Sequence, residues 1–302
     1  MAAVPAARGP AASERPAGPA VAAAPAWAPG NPAAEPPPGV DAGIPHPARV
    51  WNYWLGGRDY FAADRSAGDQ LGRDFPHLAE IARAERAFLV RAVRFLAGPA
   101  RIRQFLDIGA GLPAGGNTHE IAQRIAPDTG IVYADNDPVV LAHARALLAN
   151  PVLASSPEGA VRYIDADLRD VAGVLAGSAR TLDHARPVAL MLLGVLGYVD
   201  DHGAARSIAS QLMDALPPGS YLAIADGVAT GELLSNVQQR YNEHAVTAYH
   251  LRRPDQLASF FDGLELVEPG VVPCPLWKPD VRDANTAPSG RAAAYCGVAR
   301  KR

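Results

Sequence analysis

The sequence predicts an open α/β fold with a mostly parallel sheet, and three observations carry that prediction. From Gln104 onward, short apolar runs alternate repeatedly with helical patterns, the order expected of right-handed βαβ units. The stretch QFLDIGAGLPAGGNTHEIA, from Gln104 to Ala122, passes from an apolar run through Gly109 and Gly111 into a helical pattern. That strand, glycine turn and helix present backbone N–H groups to a ligand. Two further apolar runs close on acids, Asp135 and Asp167, at the sheet edge where such folds bind ligands.

Composition bounds the rest. A chain of 302 residues, 49% hydrophobic, with a net charge of −3, is long enough for one large domain or two small ones. The near-neutral balance argues against a nucleic-acid binder. The absence of an 18-residue apolar run argues against a membrane span. The N-terminus lacks the basic start and apolar core of a signal peptide. Two cysteines, Cys274 and Cys296, cannot form a disulfide framework or a zinc cluster, and are expected to be reduced thiols of a cytoplasmic protein. Residues 1–40 hold ten prolines and fifteen alanines, too little apolar side chain to offset the entropy of ordering. A disordered tail is expected over 1–43, a helical cap over 44–103 and the α/β domain over 104–302.

In the cap, Trp51, Tyr53, Trp54 and Tyr60 surround Gly56-Gly57. They read either as a short helix with aromatic packing that ends at the glycines or as a lid with aromatic walls. A helix follows over roughly Leu78–Leu96, with Leu78, Ile81, Ala82, Phe88, Leu89, Ala92 and Leu96 on one face. Glu85 lies in that stripe, where an unpaired carboxylate is costly. It needs either an internal salt bridge with Arg83, Arg86 or Arg91, or a polar cavity.

From Gln104 the elements follow in turn. QFLDIGA is a strand, and NTHEIAQRIA a helix with Asn117 and Glu120 at capping-box spacing. IVYAD is the second strand, then a helix with Asp137 as N-cap and Pro138 at its first position. VRYIDAD is the third strand, and a helix is expected over Leu168–Leu175. The fourth, buried strand falls near Val188–Leu193, DDHGAARSIASQLMDAL is helical and GSYLAIAD is the fifth strand. ELLSNVQQRYNEHA and RPDQLASFFDG read as helices. LELVEPGVV and RAAAYCGVAR read as terminal strands able to pair antiparallel at the sheet edge.

Because Asp137 fills the cap position, Asp135 is left to accept from ribose hydroxyls. Asp167 suits an adenine amino group or the cap of the next helix. Asp107 could order the glycine turn or approach a cationic ligand. Gly109-x-Gly111-x-x-Ala114 fits a relaxed dinucleotide fingerprint, but LPAGG delays the helix start, which a pyrophosphate site would place at the second glycine. Asp107 would also repel a pyrophosphate while tolerating ammonium and sulfonium charge. The residues therefore favour S-adenosylmethionine over NAD. No metal is expected: HxxxH, CxxC and DxD patterns lack a ligand context, and ribose and cap account for Asp135-Asn136-Asp137.

PARVWNYWLGGRDYFAADR, RAFLVRAVRFL, RQFLDIGAGLPAGGNTHEIAQ, VYADNDPVVLAHARALL, GSYLAIAD and GLELVEPGVV together resemble the actinobacterial S-adenosylmethionine-dependent methyltransferase family long catalogued as a domain of unknown function. The resemblance runs from about Ile44 to the C-terminus. It implies a Rossmann-like class I methyltransferase fold: a seven-stranded, mostly parallel sheet with an antiparallel, inserted last strand, plus an N-terminal helical cap. It implies that Gly109, Ala110 and Gly111 face the cofactor's amino-acid part, Asp135 the ribose, and Asp167 with Leu168 the adenine. Asp107, Asn136, Gly194 and Arg86 complete the expected cofactor set. The chain departs from the family at Glu85, where Asn is usual, and at Gly197-Tyr198, where a His is common.

Methyl transfer from a sulfonium requires alignment and exclusion of water, and a base only for certain acceptors. Candidates are Tyr241, His244 and Tyr198, with His119, His202 and Asp226 behind them. The expected activity is transfer to a small-molecule acceptor. The rivals are a nicotinamide-dependent oxidoreductase and a catalytically silent cofactor-binding regulator.

Overall fold

A computed structural model describes residues 36, 40–74, 76–113, 115–148, 159–229, 236, 238–240, 242–243, 247–280 and 293–302. Most of the Ala/Pro-rich tail, much of the expected ELLSNVQQRYNEHA helix, Ala114, Tyr241 and His244 lie outside these residues. Three helices precede the sheet: α1 (Pro47–Trp54), α2 (Ala62–Asp74) and α3 (Leu78–Ala97). Then come β1 (Gln104–Ile108), α4 (Thr118–Ile125), β2 (Gly130–Asp135), α5 (Pro138–Leu148), β3 (Val161–Asp165) and α6 (Val171–Ser178). The chain continues through β4 (Ala189–Leu193), α7 (His202–Asp214), β5 (Tyr221–Gly227), α8 (Pro254–Ala258), β6 (Glu265–Leu266), β7 (Val272–Pro273) and β8 (Ala294–Arg300).

The sheet order is β3-β2-β1-β4-β5-β8-β6, with β7 also paired to β8. β1 to β5 are parallel, and β8 runs antiparallel between β5 and the short β6 and β7. The eight strands are thus the expected seven with the edge strand divided. Glu265 and Leu266 face Arg300 and Ala299, and Val272 and Pro273 face Cys296 and Tyr295. Pro269 and Gly270 interrupt the run, Gly270 at φ +86°, and Pro269 has no N–H for the ladder.

The central strands are buried along their length, as expected of a sheet covered on both faces. One face packs Leu106, Val132, Leu190 and Ile224 against Val174, Ile208 and Leu212 of α6 and α7. The other packs Phe105, Ile131, Met191 and Ala223 against Phe88, Ala92 and Leu96 of α3, with Trp277 set edge-on to Phe88. The apolar stripe of α3 therefore belongs to the sheet's own core. Arg91 of this helix is buried and donates to the carbonyls of Trp277 (2.8 Å) and Cys274 (2.7 Å). Cys274 and Cys296 are buried and free. Among the described residues no helix is long and apolar enough to cross a membrane.

α1 ends as the glycine pair predicts. The Gly57 N–H donates to Asn52 O (2.9 Å) and the Gly56 N–H to Tyr53 O (3.0 Å), with Gly56 at φ +79°; this is a Schellman closure. Elsewhere the boundaries shift for local reasons. Asn117 caps no N–H. Its amide donates to Glu120 Oε1 (2.9 Å), and Glu120 Oε2 reaches past it to the Gly116 N–H (2.9 Å). β3 stops at Asp165, and the helix expected at Leu168 begins at Val171 because Asp170, not Asp167, caps it by accepting from the Gly173 N–H (2.9 Å).

Candidate functional site

At the C-terminal ends of β1, β2, β3 and β4 the structure holds a cavity of about 270 Å³. Its floor is the glycine turn after β1. Gly109 and Gly111 have φ of +73° and +62°, and α4 begins only at Thr118, so the turn is the long one that LPAGG predicts. Gly109 cannot be larger: a Cβ there would lie 2.6 Å from Val195 Cγ2. At Gly111 an added Cβ would meet open space, leaving backbone bare to the cavity.

Asp135, at the end of β2, is buried and accepts from the Gly111 N–H (2.8 Å) and the Asp137 N–H (2.9 Å). The expectation that it is left free is thus corrected. Asp137 does cap α5, through the Val139 N–H (2.8 Å), but Asp135 also orders the turn. Asp135 lines the cavity, and each of its oxygens can accept more than the one bond it receives here. Burial pushes its pKa up, while the two N–H donors pull it down.

Asp167 lies two residues beyond β3 in the cavity wall, and accepts from the Arg169 N–H (2.8 Å) and Asn136 Nδ2 (3.1 Å). Leu168 is beside it. Asp107 accepts from Thr118 Oγ1 (2.6 Å), and burial lifts its pKa to about 6 against the pull of that hydroxyl and of Arg86. Arg86 donates to Gly115 O (2.9 Å) and Asn117 Oδ1 (2.8 Å), while its buried Nε has no hydrogen-bond partner among the described residues.

Glu85 resolves its two readings in favour of the cavity. It is 5% exposed, lines the cavity, and forms no salt bridge with Arg83, Arg86 or Arg91. Its Oε2 stands 3.2 Å from where a Cβ on Gly194 would sit. Burial, reinforced by the Asp226 carboxyl, pushes its pKa well above the ordinary range.

Of the four cap aromatics, Trp51 alone lines this cavity. Tyr53 packs edge-on to Tyr60 and donates to Asp69, and Trp54 Nε1 donates to Gly68 O (3.3 Å). Tyr53 and Trp54 line a separate depression between the cap helices. The cap therefore fits both readings, with one aromatic as wall and three as packing. His46, before α1, reaches Asp137 Oδ2 at 2.7 Å and ties the cap to the start of α5.

Residues 33–302 match the family described as S-adenosyl methyltransferase. The chain belongs to this methyltransferase family. Two solved structures agree along nearly the whole chain. A DUF574 family protein from Streptomyces avermitilis MA-4680 is 42% identical over 87% of this chain and 99% of its own, with a TM-score of 0.80. A protein from Thermobifida fusca YX, described as a candidate methyltransferase, is 42% identical over 88% of this chain and 98% of its own, also at 0.80. No curated protein matches the sequence.

The cofactor of this methyltransferase is S-adenosylmethionine, and the rival oxidoreductase reading gives way to the family. The cavity fits that group: bare glycine backbone, acids at the ends of β2 and β3, and the buried, unpaired Nε of Arg86 suit a nucleoside joined to an amino acid. Of the possible bases, Tyr198 lines the cavity, whereas Tyr241 and His244 are not among the described residues. His119 is held by the Tyr133 hydroxyl (2.9 Å) and His202 by Ser259 Oγ (3.2 Å), both away from the cavity wall.

Sequence reasoning missed Tyr249. Its hydroxyl donates to Asp226 Oδ1 and accepts from the Gly227 N–H (3.1 Å). Asp226 also accepts from the Gly197 N–H (2.9 Å), and burial lifts its pKa to about 7 despite Arg252 and the backbone donors. No spacing signal links residue 249 to residues 197 and 226. The only sign was Gly197 itself, a residue without the side chain that would collide with the Tyr249 ring.

Proposed function

We propose that this methyltransferase acts on a small-molecule acceptor, with the cofactor lying across the ends of β3, β2, β1 and β4. Asp167, Leu168 and Asn136 would hold the adenine and Asp135 the ribose. Gly109, Ala110, Gly111, Asp107, Gly194 and Arg86 would surround the amino-acid part. When bound, S-adenosylmethionine supplies an electrophilic methyl on a sulfonium leaving group that needs no proton. The chain's own residues then have to orient the acceptor and exclude water. Trp51 and Leu55 from the cap, with Thr247 and Tyr198, form the walls suited to that task. Of the expected cap over 44–103, α1 and α2 act in this reading as the cap, whereas α3 packs in the core of the cofactor-binding domain over 104–302. Tyr198 is the candidate base for an acceptor that must lose a proton. The buried free thiols suit the cytoplasm.

The observation that carries the reading is the set of acids and bare glycines converging on one cavity at the strand ends. Thermal unfolding with S-adenosylmethionine, S-adenosylhomocysteine and NAD(P) tests it. A ligand at about 100 times its Kd stabilises by roughly 2.7 kcal/mol. The two sulfur compounds should do so and NAD(P) should not. Asp135→Ala should abolish the shift, and should also unfold earlier by about 1–3 kcal/mol because the Gly111 and Asp137 N–H groups lose their acceptor. Stabilisation by NAD(P) alone, or an undiminished shift in Asp135→Ala, would refute the assignment.

A further inference from the structure

One buried acid that lines the cavity is left unused by the cofactor set above. Glu85 projects from α3 into the cavity, is 5% exposed and has no hydrogen-bond or ion-pair partner among the described residues. A buried carboxyl kept without a partner is costly, and an Ala or Leu would continue the apolar stripe of α3 at this position. The next residue, Arg86, turns toward the Gly115–Asn117 loop and keeps one buried N–H unpaired. Consecutive residues of one helix thus offer an acid and a guanidinium to the same cavity.

The place of the acid within the cavity identifies what it meets. Sheet order puts the acids after β3 and β2 at one end and Gly194, after β4, at the other. Three inter-strand spacings separate those ends, about 14 Å, a span that suits an extended nucleoside joined to an amino acid. Glu85 Oε2 stands over Gly194, at the amino-acid end. Resting on the cofactor reading above, we infer that Glu85 receives the α-ammonium group of the cofactor's amino-acid part while Arg86 receives its α-carboxylate. The site is thereby specific for the complete zwitterion rather than for the nucleoside alone.

The surroundings of Glu85 add a proton to this event. Asp226 of β5 and Cys274 after β7 interact with it electrostatically, and Arg86 on its own helix is held by the Gly115–Asn117 loop. Burial and the neighbouring Asp226 carboxyl both oppose ionisation of Glu85, so its uncharged form is favoured while no cation faces it. An arriving ammonium reverses that preference. The O–H bond of Glu85 breaks, the proton passes to solvent and the ligand's ammonium stays intact, so binding releases a proton from the protein.

Calorimetry near neutral pH tests this with S-adenosylhomocysteine and 5′-methylthioadenosine, which lacks the amino acid, in buffers of different ionisation enthalpy. On the wild type, S-adenosylhomocysteine should release a proton fraction and 5′-methylthioadenosine should release none. This comparison requires no substitution. Glu85→Gln should weaken S-adenosylhomocysteine by about 10- to 100-fold, the worth of a charge-assisted contact, abolish the proton release, and leave 5′-methylthioadenosine unchanged. Equal effects on both ligands, or no effect on either, overturn the assignment of Glu85. The latter result would place its charge against an acceptor instead. If neither ligand binds the wild type, the cofactor reading itself falls, which is a separate outcome.

Discussion

Gly197 and Tyr249 are expected to be strongly coupled, and the coupling can be measured. A Cβ on Gly197 would sit 2.2 Å from Cε2 and 2.3 Å from Cζ of the Tyr249 ring, so the ring would have to retreat by roughly 1.2 Å to reach the 3.4 Å of ordinary contact. It is not free to do so. Its hydroxyl holds Asp226 and the Gly227 N–H, and its backbone exchanges bonds with Asn242 (2.8 and 2.9 Å). Gly197 is fixed as well, donating to Asp226 (2.9 Å) and accepting from the His250 N–H (2.7 Å). Overpacking of this kind costs about 1–3 kcal/mol, and a displaced hydroxyl that leaves buried Asp226 short of a donor costs about 1–3 kcal/mol more. Gly197→Ala should therefore destabilise by about 2–6 kcal/mol.

The sign should change when the ring is removed. Gly197 does not occupy the left-handed region, so an alanine there meets no backbone strain. In a Tyr249→Ala background Gly197→Ala should be neutral, or stabilising by up to about 1 kcal/mol through the unfolded chain. Urea unfolding of the four proteins, read as shifts in midpoint at constant m, gives the interaction energy directly. A cost for Gly197→Ala that is the same in both backgrounds to within about 0.5 kcal/mol would refute the packing argument.

Two further outcomes follow from buried polar groups. Asp226 has a pKa near 7 in the folded protein against an ordinary 3.8. A raised carboxyl favours folding below its unfolded pKa and loses that contribution as pH rises to the folded one. Three pH units correspond to about 4 kcal/mol at most. Stability should fall between pH 4 and about 7, and Asp226→Asn should flatten that slope while starting lower, because its amide must satisfy the Gly197, Gly227 and Tyr249 donors with one oxygen. An unchanged slope in denaturant midpoints would count against it. Arg91→Met should cost about 1–3 kcal/mol by leaving the buried Trp277 carbonyl without a donor and the Cys274 carbonyl with only the Trp277 N–H at 3.3 Å; a loss under about 1 kcal/mol would show that water replaces the guanidinium.

What the sequence disclosed and what it hid divide along physical lines. Periodicity is a local property, so α3, the five parallel strands and the delayed start of α4 at Thr118 were all legible from residues that lie side by side in the chain. Acids at strand ends were legible too, because sheet topology sends the C-terminal ends of the parallel strands β1 to β5 to one edge. Local patterns could not tell which of several nearby carboxylates takes which N–H. Asp170 rather than Asp167 caps α6, and Asp135 shares its oxygens between two turns, because each choice depends on a loop path fixed by tertiary packing.

Glu85 is the instructive case. Its position in an apolar stripe announced a conflict between patterning and burial, and helical spacing supplied three arginines that could have resolved it. Those three partners were intrahelical, whereas the structure places the acid in the cavity wall, the other alternative. Arg86 is drawn to Asn117 and Arg91 to the carbonyls of Cys274 and Trp277, so neither is available to the acid. An unresolved conflict between local pattern and environment is expected where function rather than stability sets the residue. Here it falls on a buried acid that stands over Gly194 in the cavity, and Glu85→Gln should make the protein easier to fold and the amino-acid end of the cofactor harder to hold.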